Sequence, residues 1–337
     1  MTLDEFAAQI GVSPTTVSRA LSGRGRVGAR TRQMIRQRVD ELGYTPNLHA
    51  QRLAAGRSQT IAMDWGEASS PLSDPHLSQL FEGVQVALQR HGYGLLLCGI
   101  RSAGLLERLA AGSAVDGAVI VGDDNELGGE TTARRLAAAG TPCVVIGHHA
   151  VDDLPGLGAM TIDLADGAHQ AAHALADAGH TEVGFLASHL PDRYLDALLA
   201  ALGARGIVLP EARITLAKEN TPDAGADALT TLLQTPPRPT VVIARTDILA
   251  AGALRAARRQ GLRVPDDLSV IGHDDLRIAA LLEPPLTTLR IDYGRLGEQA
   301  AEILLSLIAS PERRFARRTL RTELILRDTL KPPPSVP

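Results

Sequence analysis

The residues whose types and spacing could do chemistry gather near the start of the chain. Thr15, Thr16, Ser18 and Arg19 fall within nine residues, Ser13-Pro14-Thr15-Thr16-Val17-Ser18-Arg19-Ala20-Leu21. Short hydroxyls beside a guanidinium suit the edges of base pairs: arginine spans the two acceptors of guanine, and a hydroxyl can donate or accept. Arg24, Arg26 and Thr31 follow as phosphate-holding groups, which position a protein on DNA without reading its sequence. Residues 1–60 carry nine arginines, no lysine and four acids, a net of +5, whereas the remaining 277 residues carry 25 bases and 34 acids, a net of −9. A basic head on an acidic body is the electrostatic footprint of a nucleic-acid module. Catalysis finds no comparable support. The acids at 123–126 and 152–153 read as solvated loops, no coherent acid, base and nucleophile set emerges, and no metal or cofactor is expected.

Helices must position these groups. Leu3, Phe6, Ala7 and Ile10 mark one apolar face, Gly11 breaks the helix, and Ser13 and Pro14 suit the start of a second. Val17, Ala20 and Leu21 then form a buried side, leaving Thr15, Thr16, Ser18 and Arg19 outward. Two short helices about a tight glycine turn make a helix-turn-helix. Met34, Ile35, Val39 and Leu42 predict a third helix ending at Gly43. Residues 44–56 read as a linker of helical character, with Asn47 as a cap. A helix of about two turns cannot stand alone in water, so its partner must be DNA, a second subunit, or both.

From residue 60 the rhythm is strand then helix. Strands are expected at 60–64, 94–98, 115–121, 143–146, 183–187, 207–209, 240–244, 268–272, 290–291 and 319–326. Helices are expected at 77–90, 105–111, 131–139, 165–178, 192–204, 223–234, 247–260 and 293–309, with a loop at 148–160. Continuous apolar strands alternating with helices imply parallel sheets. Cys98 and Cys143 lie in apolar runs and read as core residues. No signal peptide and no run of apolar residues long enough to span a bilayer is seen, so a cytoplasmic protein away from membranes is expected. The Pro-rich end, 328–337, is expected to be disordered.

The motif Thr2-Leu3-x-x-Phe6-Ala7-x-x-Ile10-Gly11-Val12-Ser13-x-x-Thr16-Val17-Ser18-Arg19-Ala20-Leu21, followed by Glu41-Leu42-Gly43-Tyr44-x-Pro46-Asn47, resembles the head of the lactose-repressor (LacI) family of bacterial transcriptional regulators. Val264-Pro265-x-Asp267-Leu268-Ser269-Val270-Ile271-Gly272-His273-Asp274-Asp275 and Pro284-Pro285-Leu286-Thr287-Thr288-Leu289 resemble its body. The resemblance implies an N-terminal all-α helix-turn-helix head (1–46) and a hinge helix (47–59). A two-lobed α/β body like that of periplasmic binding proteins follows, with parallel sheets (60–327). Lobe one would span 60–159 and 291–313, and lobe two 160–290 and 314–327. It implies DNA contacts from Thr2, Ser13, Thr15, Thr16, Ser18, Arg19, Arg24, Arg26 and Thr31, and a minor-groove set of Asn47, Ala50, Gln51 and Leu53. A leucine wedge there would kink the duplex.

Ligands of open α/β sheets sit beyond the carboxyl ends of strands. That rule and the resemblance together select Asp64, Trp65, His76, His148, Arg193, Asp247 and Asp274 for a small effector. Carboxylates and an arginine suit a polyol, so a sugar is the first expectation, with a nucleoside or purine open. Departures from the family pattern stand at Asp74-Pro75-His76-Leu77, at Val27-Gly28, at Thr246 and at Ala197-Leu198. The expected assembly is a homodimer on a near-palindromic duplex, acting as a repressor; activator and solute-binding protein are the alternatives. Replacing Arg19 by alanine is expected to abolish sequence preference while sparing much non-specific DNA binding. Footprinting checks this, and a protected site unchanged by the substitution would refute the role of Arg19.

Overall fold

The computed structural model describes residues 1–22, 26–45, 57–65, 74–98, 104–122, 128–147, 154–310, 312 and 317–334. Arg24, His148 and the hinge residues Asn47, Ala50, Gln51 and Leu53 lie outside these.

Helices α1 (Leu3–Ile10), α2 (Pro14–Ser22) and α3 (Ala29–Leu42) form the head. Thr2 and Glu5 cap α1 reciprocally: the Thr2 amide donates to Glu5 Oε2 at 2.8 Å and the Glu5 amide to Thr2 Oγ1 at 3.2 Å. Gly11 sits at φ 68°, where a side chain would be strained, and so turns α1 into α2. Phe6, Ala7, Val17, Ala20, Ile35 and Tyr44 are buried together, with the Phe6 and Tyr44 rings stacked at 4.3 Å. The stripe of α3 is narrower than its sequence predicts, since Met34 remains 36% exposed. Gly28 precedes α3 without a side-chain cap.

Lobe one is built on a parallel sheet of β1 (Thr60–Asp64), β2 (Gly94–Cys98), β3 (Gly117–Val121), β4 (Cys143–Ile146), β5 (Leu157–Ile162) and β11 (Arg318–Leu320), in the order β11-β5-β4-β3-β1-β2. Helices α4 (Pro75–Arg90), α5 (Leu105–Ala111), α6 (Gly128–Ala138) and α11 (Tyr293–Ala309) cover it. α4 and α11 lie backbone to backbone: a methyl on Gly83 would overlap the Gly294 carbonyl, and one on Gly297 the Leu80 carbonyl. Lobe two holds β6 (Val183–Ala187), β7 (Ile214–Leu216), β8 (Val241–Ala244), β9 (Ser269–Asp274), β10 (Thr287–Arg290) and β12 (Glu323–Ile325), in the order β12-β10-β9-β8-β6-β7. Only β12 runs antiparallel to its neighbour. Helices α7 (Leu164–Ala178), α8 (Arg193–Gly203), α9 (Pro222–Leu232) and α10 (Asp247–Arg259) complete it. The chain passes between lobes after β5, after β10 and after β11.

Several expectations need correction. Part of the expected 148–160 loop is strand β5, whose small residues hid it; Gly158 is small because Ile303 of α11 and Val144 lie against it. Residues 207–209 form no strand, and β7 comes later, at 214–216. β10 ends where its strand was expected to begin. The last inter-lobe crossing falls after residue 320 rather than near 313. β11 pairs with β5 in lobe one, Thr161 and Thr319 sharing a hydroxyl contact of 3.0 Å.

The expected disordered tail is, through residue 334, a strap on lobe two. Thr329 is fully buried; its Oγ1 donates to the Val270 carbonyl at 2.6 Å and accepts from the Thr287 amide at 2.8 Å. The Lys331 carbonyl accepts from His180 Nε2 at 2.8 Å and Ser269 Oγ at 3.1 Å. Thr329→Val keeps the shape but strands two buried backbone groups, and is expected to cost about 1–3 kcal/mol in urea denaturation. An unchanged midpoint and slope would show that the strap adds nothing.

Candidate effector site and nucleic-acid interface

On the head, Thr15, Arg19 and Arg26 are exposed, and Thr16, Ser18 and Thr31 half-buried. Ser13 Oγ accepts from the Thr16 amide at 3.2 Å and lies 2.8 Å from Thr16 Oγ1, so these hydroxyls order the first turn of α2. Thr2 closes α1 at the other end of the motif. The outward side of α2 thus presents Thr15 and Arg19, a side-chain set able to enter a major groove.

Where the strand ends of both lobes meet lies a cleft of about 310 Å³. Its lobe-one wall is mainly apolar: Leu77, Leu80, Val121, Ile146 and Leu296, with Trp65 at the end of β1. The Trp65 indole meets Phe81 edge-on at 5.9 Å. The lobe-two wall is polar: Ser188, Asn220, Arg245, Thr246 and Asp274. An apolar floor facing a polar rim suits a ligand with one hydrophobic face and several hydrogen-bonding groups.

Asp274 ends β9 at φ 107°, and Asp275 follows at 54°, both strained for residues other than glycine. Asp274 is 3% exposed. Its Oδ1 accepts from the Tyr293 hydroxyl at 3.0 Å and lies 3.0 Å from His273 Nδ1; its Oδ2 lies 2.7 Å from His76 Nε2. The His76 contact is close but off-line for a hydrogen bond, so it holds chiefly as charge on charge. His76 stands in the first turn of α4, and its Nδ1 lies 3.1 Å from Asp74 Oδ1, the oxygen that also caps the helix through the amides of His76 and Leu77. Burial opposes a charge on His76, yet the Asp274 and Asp74 carboxylates raise its pKa to about 10. Burial likewise opposes ionisation of Asp274, and the adjoining His76 cation outweighs it, holding the carboxyl well below the usual range. His273, fully enclosed, is held neutral by burial and by the Arg245 charge.

Trp65, His76 and Asp274 therefore come together in the cleft. Asp64 ends β1 half-buried and does not line it. Two residues chosen from sequence stand elsewhere. Arg193 is exposed at the start of α8, and the guanidinium on the cleft wall is that of Arg245 at the end of β8. Arg245 Nε lies 2.9 Å from Asp192 Oδ2, and its guanidinium lies over the Tyr194 ring at 5.8 Å. Asp247 is wholly buried behind the wall. It accepts from Thr288 Oγ1 at 2.5 Å and from the Leu276 amide at 2.7 Å, while Thr246, not Asp247, caps α10. Sequence reasoning reached residues 245–247 as a strand end but chose the acid. Arg245, Asn220 and Tyr293 were missed, although Arg245 sits at a strand end that the rule covers.

Burial, then the Asp274 charge, raise the Asp247 pKa from 3.8 to about 8. A raised carboxyl favours the fold fully below its unfolded pKa, and that advantage is lost as pH rises to the folded one. Asp247→Asn, which cannot ionise, is expected to match the wild type near about pH 4 and to gain on the order of 1–3 kcal/mol at about pH 9. Thermal unfolding across that range checks this, and a pH-independent difference would refute the assignment.

Among the described residues, no group of three or more His, Cys, Asp or Glu could hold a metal ion, and no helix is long and apolar enough to cross a membrane. Residues 2–47 match the family model described as bacterial regulatory proteins, lacI family, and residues 172–330 match a periplasmic binding protein-like domain. The chain is 31% identical to the HTH-type transcriptional regulator CelR of Thermobifida fusca, over 97% of this chain and 98% of that one. The structure of a transcriptional regulator CelR–cellobiose complex aligns with TM-score 0.70 at 30% identity, covering 98% of this chain and 99% of that one. That of the lac repressor dimer bound to operator and the anti-inducer ONPF aligns with TM-score 0.80 at 26% identity, covering 98% of both. With the head, the two parallel-sheet lobes and the cleft between them, these likenesses show that the chain belongs to the lacI family and is a sequence-specific DNA-binding transcriptional regulator.

Proposed function

We propose that this chain is a repressor whose affinity for a near-palindromic operator is set by a neutral polyhydroxylated ligand, a carbohydrate, held in the interlobe cleft. One observation carries the ligand class: each cation on the cleft already faces a carboxylate of the protein, His76 facing Asp74 and Asp274, and Arg245 facing Asp192, so an anionic ligand would have to compete with the protein's own acids. A charged ligand would also have to be desolvated there. A neutral polyol would exchange hydrogen bonds with Asp274, Arg245 and Asn220 and lay an apolar face on Trp65. The relative found with cellobiose agrees with this class.

The homodimer places the Thr15, Thr16 and Arg19 sets of two heads in successive major grooves. The hinge, with Asn47, Ala50, Gln51 and Leu53, is assigned to the minor groove between them. The ligand acts by favouring one arrangement of the lobes over another, and its unequal affinity for the two sets the coupling, typically about 1–3 kcal/mol.

A thermal-shift screen of sugars, cellobiose and ribose included, against nucleosides and purines tests the reading. A sugar at about a hundred times its Kd adds about 2.7 kcal/mol to the bound state and should change the gel shift on the operator. Asp274→Asn should lose that response while retaining operator binding. A response confined to nucleosides or purines, to which Trp65 offers the same stacking face, would overturn the sugar assignment.

A further inference from the structure

We propose that His76 is an inter-lobe clasp that competes with the ligand for Asp274 and so sets how much ligand this regulator needs. The inference rests on reading the cleft as the effector site. Asp274 belongs to β9 of lobe two, whereas His76 of α4 and Tyr293 of α11 both belong to lobe one. The one carboxylate thus receives two groups from across the cleft, His76 Nε2 at 2.7 Å and the Tyr293 hydroxyl at 3.0 Å. With His273 on Oδ1 as well, that oxygen has two partners. Oδ2 accepts no hydrogen bond but is enclosed, with His76 at 2.7 Å, so a ligand hydroxyl reaches it by taking the place of His76.

His76 is built for the task. Asp74 grips its ring at Nδ1 and its amide, and the rings of His76 and Tyr293 lie 5.1 Å apart, so the imidazole is aimed before lobe two arrives. The groups facing it are Asp74 on its own helix, Tyr293 on α11, and Asp274 on β9. Behind Asp274 stand His273, which burial keeps neutral, and Arg245, which Asp192 neutralises. Within this set the imidazolium meets two carboxylates and no uncompensated cation. The departure from the family pattern at Asp74-Pro75-His76-Leu77 thereby gains a purpose: an acid and a histidine in one turn create a charged inter-lobe contact.

The chain's single tryptophan, Trp65, lies on the same cleft and reports its opening. Acrylamide quenching of Trp65 is measured in the full-length protein for the wild type, His76→Gln, His76→Lys, Tyr293→Phe and, as a distant control, Arg263→Ala, each shown folded by circular dichroism. His76→Gln should raise the quenching constant several-fold, Tyr293→Phe should raise it less, and His76→Lys, which restores a cation, should return it toward the wild-type value. Arg263→Ala should leave it unchanged. In the wild type the constant should stay flat through neutral pH and rise as pH approaches about 10, where His76 loses its proton. Cellobiose titration forms the second arm, and His76→Gln should bind it several-fold more tightly than the wild type. Quenching unmoved by His76→Gln would overturn the clasp, and weaker cellobiose binding would overturn the competition by making His76 a ligand contact. A rise in quenching with no cellobiose binding in any variant would uphold the clasp and count instead against the sugar reading.

Discussion

The body depends on keeping one carboxylate, that of Asp274, ionised where water is nearly excluded. A buried charge persists only when counter-charges and donors surround it, and the elements around β9 supply them. Lobe one contributes His76 and Tyr293, which are placed there because α4 and α11 approach closely at Gly83 and Gly297. Lobe two contributes His273 and, behind it, Arg245 and Asp192. The strained backbone at 274–275 is held from the other side: Asp275 pairs with Arg290 at 2.7 Å and with Arg327 at 2.6 Å. Strain of this kind persists where the surroundings over-determine it. Here the surroundings include both lobes, so the conformation of one residue and the approach of two lobes are a single problem.

Asp247 shows the complementary solution. It lies near Asp274, and two ionised carboxylates in so dry a place would repel strongly. The fold keeps Asp247 protonated, enclosed by Thr288 and the Leu276 amide, with room made by the absence of a side chain at Gly272. One acid is charged and outward, the other neutral and inward, and their environments decide which.

The head was legible in the sequence because its signals are local. Caps, the Gly11 turn and the spacing of Phe6, Val17 and Ala20 all fall within the first twenty residues or so. The alternation of β1, β2 and β4 with their helices was equally plain, and the strand-end rule brought Trp65, His76 and Asp274 to the cleft. What stayed hidden is decided at a distance. Whether 318–320 joins lobe one or lobe two depends on which sheet edge it meets, not on its own three residues. Arg193 and Arg245 are both arginines at strand-to-helix turns, and only the exit geometry of β6 and β8 tells which enters the cleft. β5 and Thr329 were missed for a related reason: a strand that opens on Leu-Gly-Ala and a proline-rich segment look irregular until the helix or sheet they fit against is present.

The interleaving of the lobes also dictates an order of assembly during synthesis. The three helices of the head bury their own core from residues 3–44 and need nothing downstream. Neither lobe has that independence. Lobe one lacks α11 and β11 until residues 293–320 emerge, and lobe two lacks β12 and the Thr329 strap until residues 323–331 do. Since domains generally fold as units as they leave the ribosome, a nascent chain would carry a finished, positively charged DNA-binding module for most of its translation while the module's sensor is still open. Non-specific attachment to DNA can then precede regulation, and the ability to be switched is the last property the chain acquires.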